Sequence, residues 1–222
     1  MLGIGAAVAM MSLGTSQANA SSATWVITGN TTLTADYNGQ ILVVGQGVTL
    51  NCAGHTVRGD GTGVGINVVS DGVSVSNCQV LGFDTGILTS ARATQIRGND
   101  VNHNGQGVRL AGASGGTVSG NSANSNRFWG IILAQGASGN TIHGNSANNN
   151  GLIGVALNAS NGNLVAGNSA NQNGGTGFDS LQSSGNQLLN NVAMNNGNIG
   201  FAFSLASGNT VSGNIANNNG TP

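Results

Sequence analysis

The chain has 222 residues, of which 39 are Gly and 34 are Asn, and its single Pro is the last residue. Charged residues make up 5%, all of them Asp or Arg, against about 25% in an average chain, which argues against a long solvated helix or coiled coil. A net charge of −1 with five Arg provides no basic surface for nucleic acid, while 38% apolar residues are enough to build a core, so the Gly and Asn content does not require disorder.

Residues 2–14, LGIGAAVAMMSLG, are apolar and small, but too short to span a bilayer, which takes about 20 residues. They lead into Ala18-Asn19-Ala20, an A-x-A cleavage pattern. Residues 1–20 are therefore expected to be a signal peptide cut after Ala20, and the mature protein to be secreted or periplasmic. No later stretch is long and apolar enough for a membrane span. Residues 21–44 alternate weakly and are expected to form a cap or first rung.

Residues 45–92 carry loosely related segments, GVTLNCAGHTV (47–57) and GVSVSNCQV (72–80), followed by GVGINV (63–68) and GFDTGIL (82–88). Cys52 and Cys78 lie 26 residues apart, close to one repeat. Neighbouring strands place Cα atoms inside the disulfide range of about 4.4–6.8 Å, and export would permit the bridge. Two stacked buried thiols are the alternative.

From residue 93 onward the chain repeats itself. SGNTIHGNSANNNG (138–151), NGNLVAGNSANQNG (161–174) and SGNTVSGNIANNNG (207–220) are near copies, and SGNQLLNNVAMNNG (184–197) has drifted. Alignment yields an apolar column, Ile96, Val118, Ile142, Val165, Leu188 and Val211, and a small one, Val101, Ala123, Ala147, Ala170, Ala193 and Ala216. A third follows a glycine: Ile87, Val108, Ile131, Val155, Phe178 and Phe201. Two residues further on stand Leu110, Leu133, Leu157 and Phe203, with Ser180 breaking the pattern. Alternation with a period of two marks short strands with one buried face. One repeat cannot bury its own apolar face, so repeats must stack.

These columns predict an all-β fold, a three-sided parallel β-helix of about eight rungs of 21–26 residues, with rungs about 4.8 Å apart. Two Asn columns suit its corners. One is Asn99, Asn121, Asn145, Asn168, Asn191 and Asn214, and the other Asn104, Asn126, Asn150, Asn173, Asn196 and Asn219. Asn tolerates left-handed backbone, and stacked amides can hydrogen-bond as a ladder. The last repeat stops before its third strand, so residues 45–222 are expected to end on an incomplete rung at which self-association is available.

The pattern GN-x-[VIL]-x-GN-x-A-N-x-N-x-x-x-G-[VIF], with TLTADYNGQILVVGQGVTLNCAGHTVRG over 32–59, is similar to right-handed parallel β-helix repeat proteins, the pectate-lyase-like and NosD-like superfamily. The resemblance implies polysaccharide chemistry or carbohydrate binding wherever site residues match.

The chemistry-bearing residues are sparse. Asp36, Asp60, Asp71, Asp84, Asp100 and Asp179 fall on different rungs or faces; Asp60 and Asp71 are nearest to a pair, and loop aspartates are usually turn formers. Arg97, Asp100 and His103 share a rung and form a weak candidate cluster. GGTGFDSL (174–181) matches a calcium-binding nonapeptide once, and without copies at nine-residue spacing it reads as chance. No cofactor or metal is expected. Arg127-Phe128-Trp129 interrupts a corner, with Arg109 expected on the adjacent rung, and an aromatic beside a guanidinium makes a sugar-stacking platform. The expected function is an exported non-catalytic module, binding or structural, for a polysaccharide or the cell envelope. The alternative is a small polysaccharide lyase, hydrolase or epimerase. Ice binding ranks lower, because the column Thr117, Thr141, Leu164, Gln187, Thr210 is broken.

Overall fold

The computed structural model describes residues 24–220. The proposed signal segment lies outside these residues. Every regular element among them is a strand. Strands of two to six residues alternate with tight corners, because Gly and Asn recur too often for any longer run to form.

The strands stack into a parallel β-helix of about eight turns. Two nine-stranded parallel sheets run its length. One holds the longer strands, from Thr24–Ile27 through Gln106–Ala111, Trp129–Ala134 and Ile153–Asn158 to Phe201–Ser204. The other holds shorter strands, such as Thr117–Ser119, Thr141–His143 and Leu164–Ala166. A third face is regular at both ends and, in between, is reduced to isolated bridges such as Ser122↔Ser146 and Ser146↔Ser169. Thr24–Ile27, Thr31–Thr32 and Tyr37–Asn38 form the first rung among the described residues, and Thr24–Ile27 pairs in parallel with Gln40–Val43, where the second rung begins.

The register places each repeat column in line. Ile96, Val118, Ile142, Val165, Leu188 and Val211 are successive partners on the short-strand sheet. Ile87, Val108, Ile131, Val155, Phe178 and Phe201 are successive partners on the long-strand sheet. Apart from Val211, which is exposed on the last described rung, these columns meet in one continuous core. Cys52 and Cys78 join it as a disulfide with a Cα–Cα distance of 4.7 Å.

The corners are held by buried amides. Asn145 is 2% exposed; its Oδ1 accepts the Asn121 N–H at 2.9 Å and the Asn121 amide at 3.0 Å. Its own Nδ2 donates forward to Asn168 Oδ1 at 2.9 Å and back to the Val118 carbonyl at 2.9 Å. The same pattern runs through Asn99, Asn121, Asn168, Asn191 and Asn214. A second ladder runs through Asn104, Asn126, Asn150, Asn173, Asn196 and Asn219. A third, which the sequence reading did not single out, joins Asn140, Asn163, Asn186 and Asn209. Its signal was in plain view as Gly-Asn at 139–140, 162–163, 185–186 and 208–209.

One expectation is corrected. The ladder asparagines are not the left-handed residues; the residue just before each of them is. Gly98, Gly120, Gly144, Gly167 and Asn190 precede the first ladder, and His103, Ser125, Asn149, Gln172 and Asn195 the second, all at positive φ. The left-handed residue turns the chain, and that turn aims the following Asn inward. Hence the recurrent Gly-Asn dipeptide: glycine enters this conformation without a Cβ penalty. A separate glycine column, represented by Gly130, is closed by packing. A Cβ there would come within 2.7 Å of Asn150 Nδ2 and of the Gly154 carbonyl.

Among the described residues one buried side-chain polar atom is unpaired. Ser180 stands where Leu110, Leu133 and Leu157 stand on earlier rungs, and its buried Oγ has no hydrogen-bond partner. Asn145→Ala should orphan the Asn121 donors at a cost of about 1–3 kcal/mol for each buried group left unpaired. Ser180→Ala should be neutral or stabilising by up to about 1 kcal/mol, since no bond is lost. Urea midpoints at constant m-value measure both. Reducing the disulfide, which links residues 26 apart, should cost about 3–4 kcal/mol by loop entropy, read as a lower midpoint in the presence of a thiol reductant.

Candidate functional site

At the corner between the third face and the long-strand sheet, successive rungs bring together Gly61, then Gly82-Phe83-Asp84, then His103-Asn104-Gly105, then Arg127-Phe128. They line a shallow, open cavity of about 220 Å³. Glycines at 61, 82 and 105 keep its floor low. On later rungs Gly151, Gly174 and Gly197 occupy the position that Arg127 takes here, and a Cβ on Gly151 would overlap the Arg127 carbonyl. The Arg127 side chain therefore projects outward. Its guanidinium carbon sits 5.0 Å from the centre of the Phe128 ring, which is half-buried. Among the described residues the guanidinium forms no ion pair. Asp84 and His103 are exposed on neighbouring rungs, and Asp84 Oδ2 accepts the Gly63 N–H at 3.1 Å.

The four residues singled out for binding divide into two groups. Arg127 and Phe128 belong to the corner groove. Trp129 instead opens a strand, pairs in register with Gln106 and Ile153, and lies on the outer face of the long-strand sheet. Arg109 is on the adjacent rung of that face, opposite Ile132, with Nη1 3.4 Å from Gln106 Oε1. The Phe128 and Trp129 rings are 5.9 Å apart and link the two groups. Sequence reasoning missed Asp84 and the role of His103 in the groove, because rung neighbours 19 or more residues apart in sequence carry no local motif.

Several carboxylates are main-chain acceptors, but of Asp36, Asp60 and Asp71 only Asp60 bonds within its own turn, while the other two reach the neighbouring rung. Asp36 accepts from Thr56 N, Asp60 from Thr62, and Asp71 from Arg92 N. The Thr56 N–H, with smaller help from His55 3.5 Å away, holds the Asp36 carboxyl below its ordinary range. The Arg97, Asp100, His103 cluster is split: Arg97 ends a short-sheet strand, whereas His103 turns toward the groove. Among the described residues no three His, Cys, Asp or Glu side chains gather as a metal site, and no helix is long and apolar enough to cross a membrane.

A second polar array escaped the sequence reading, although NSAN recurs at 121, 145 and 168. On the third face Ser146 Oγ donates to Asn124 Oδ1 at 2.9 Å and accepts from Asn148 Nδ2 at 2.7 Å. Ser122 and Ser169 repeat this with Asn102, Asn124, Asn148 and Asn171. The side chains bond to one another, so the array serves first as an outer brace.

The family profile of the right handed beta helix region matches residues 17–147 and 85–221. The chain belongs to the right-handed β-helix family. No curated protein matches it in sequence. Among solved structures, the β-helix is similar to the periplasmic alginate epimerase AlgG, with a TM-score of 0.57 at 16% identity over 83% of this chain and 51% of that one. It is also similar to tailspike protein 2 of an Escherichia coli O157:H7 bacteriophage, with a TM-score of 0.59 at 15% identity over 81% and 37%. ORF18 of Geobacillus virus E2 gives 0.63 at 11% identity over 82% and 44%. The chain thus spans about half, or less, of the length of these structures, and at such identities they establish the shared fold.

Asp100 leads the outer Ser column, and desolvation raises its pKa above the ordinary carboxylate value against a smaller opposing pull from His103. The unfolded chain therefore loses this proton first as pH rises, so this group's contribution to stability falls as pH passes through the raised pKa. Asp100→Asn should raise the melting temperature at pH 7 and leave it unchanged well below the unfolded carboxylate pKa, near pH 3. Parallel melts at the two pH values check the sign.

Proposed function

We propose that the protein is an exported β-helix module that binds a polysaccharide or cell-envelope glycan at the corner groove. The observation that carries this reading is the Phe128 ring with the unpaired Arg127 guanidinium over it, facing Asp84 and His103 across an open trough. Sugar rings present apolar C–H faces and a rim of hydroxyls. An aromatic ring takes the face, while a guanidinium, a carboxylate and an imidazole take the rim. The trough crosses successive rungs and is open to solvent, which suits an extended chain. Export is supported by the apolar run before Ala18-Asn19-Ala20 and by the periplasmic location of the similar epimerase. Use of Asp36, Asp60, Asp71 and Asp84 as main-chain acceptors favours binding over catalysis.

A second reading, a small lyase, hydrolase or epimerase, is favoured by one feature: Asp84 and His103, a carboxyl and an imidazole of the kinds used in acid–base catalysis, line the same cavity. Incubation with a panel of uronans and neutral glycans, with and without calcium, separates the two. New reducing ends, unsaturated products or epimerised residues would replace the first reading with the second.

For the binding reading, Phe128→Ala and Arg127→Ala should each weaken retention on the bound glycan about two- to tenfold, an exposed stacking or cation–π contact being worth about 0.5–1.5 kcal/mol. Thr141→Ser, on the short-strand sheet, should leave it unchanged. Affinity electrophoresis against immobilised glycans reads all three, and equal mobility of the variants would reject the groove.

A further inference from the structure

The outer face of the long-strand sheet carries a patch that the groove does not use. In one register column the outward residues are Arg109, Ile132, Ala156 and Asp179, on four successive rungs. Ile132, Ala134 and Ala156, 5–7% exposed, form a small buried apolar cluster separate from the main core, and the half-buried Trp129 and Ile153 packed against it provide its accessible apolar surface. The two charges bracket this cluster. Arg109 is half-buried, with Gln106 as its hydrogen-bond partner. Asp179 is half-buried and, among the described residues, has no cationic partner. Its surroundings raise the carboxyl pKa by desolvation. Each is a partly desolvated charge without a counter-ion, an arrangement that costs stability in an isolated chain.

The order positive, apolar, apolar, negative is complementary to itself. Consider a twofold axis lying in the plane of this face, parallel to the strands and passing between the rungs of Ile132 and Ala156. It reverses the order of rungs while preserving position along each strand. Arg109 then meets the partner's Asp179 at one end, and Asp179 the partner's Arg109 at the other. Ile132 lies over the partner's Ala156, and Trp129 over the partner's Ile153. We propose that this face is the isologous interface of a homodimer, its occupant being a second copy of the same chain.

The dimensions are compatible with a reversible association. The overlap runs over six rungs, from that of Leu88 to that of Ala202. At about 4.8 Å per rung and about 3.3 Å per residue along strands of four to six residues, each copy contributes on the order of 500 Å², at the low end for a specific interface. The dimer should therefore form and dissociate with concentration. Its two ion pairs act chiefly by selecting this orientation over others.

Charge reversal tests the arrangement. Sedimentation velocity over a wide concentration range should show the wild type shifting from monomer to dimer. Arg109→Asp and Asp179→Arg should each be monomeric, because each places like charges opposite one another at both ends. An equimolar mixture of the two variants should regain the dimer, since every reversed charge then meets its opposite. Recovery in the mixture also shows that both variants are folded, and it would not follow from a merely structural role for either residue. A wild type that stays monomeric at all concentrations, single variants that still dimerise, or a mixture that remains monomeric would each overturn the proposal. The glycan-retention assay reads Arg127 and Phe128 independently, so the groove and the interface can fail separately.

Discussion

The structure depends on the buried amide stacked on a buried amide. An Asn side chain in the interior must satisfy two donors and an acceptor without water, and leaving any of them unpaired is costly. In this chain each ladder Asn does so only if the next rung presents another Asn directly above. That requirement locks the rungs in register more tightly than the aliphatic core can, because aliphatic contacts are non-directional. It also explains how repeats of unequal length remain stacked. Asn99, Asn121 and Asn145 are separated by 22 and then 24 residues, yet the hydrogen bonds between them are alike at 2.9 Å. The additional residues are taken up at the corners. Asn104 is followed by Gly107, whereas Asn126 is followed by Gly130, one residue later.

The corners are consequently where the molecule can differ from rung to rung. Most are filled by glycine, whose missing side chain lets successive backbones touch. Where glycine gives way to Arg127, with Phe128 beside it, an aromatic and a cation are forced outward over a floor kept low by Gly82 and Gly105. The groove is thus a local departure from the repeat on a framework that tolerates variation only there. The outer face of the long-strand sheet has the complementary freedom. Its inward residues are bound by the core, whereas its outward residues pack only against one another, as Trp129 and Ile153 do over the buried Ile132, so they are freer to vary from rung to rung.

Much of this was legible in the sequence because a solenoid translates sequence period into spatial neighbourhood. Ile96, Val118 and Ile142 could be placed in one column from spacing alone, and so could two of the three Asn ladders. The third ladder escaped because its Gly-Asn pairs resembled ordinary turns. The left-handed positions were assigned one residue late, since Asn and Gly both favour such geometry and only the backbone separates the residue that turns from the residue that bonds. Trp129 was assigned to the corner with Phe128 because nothing in the sequence marks where the corner ends and the strand begins.

The sequence by itself determined the architecture: the repeat length, the identity of the buried columns and the amides at the bends follow from period and from the need to satisfy buried polar groups. Tertiary structure alone decided which exposed residues act together. Asp84, His103 and Arg127 lie 19 to 24 residues apart in the chain and become neighbours only when rungs stack, and Arg109 and Asp179 become the two ends of one patch only when four rungs are in register. The reason is that core positions repeat and so announce themselves, whereas a surface site is built from residues that break the repeat, and their grouping is set by a corner geometry that no local pattern encodes.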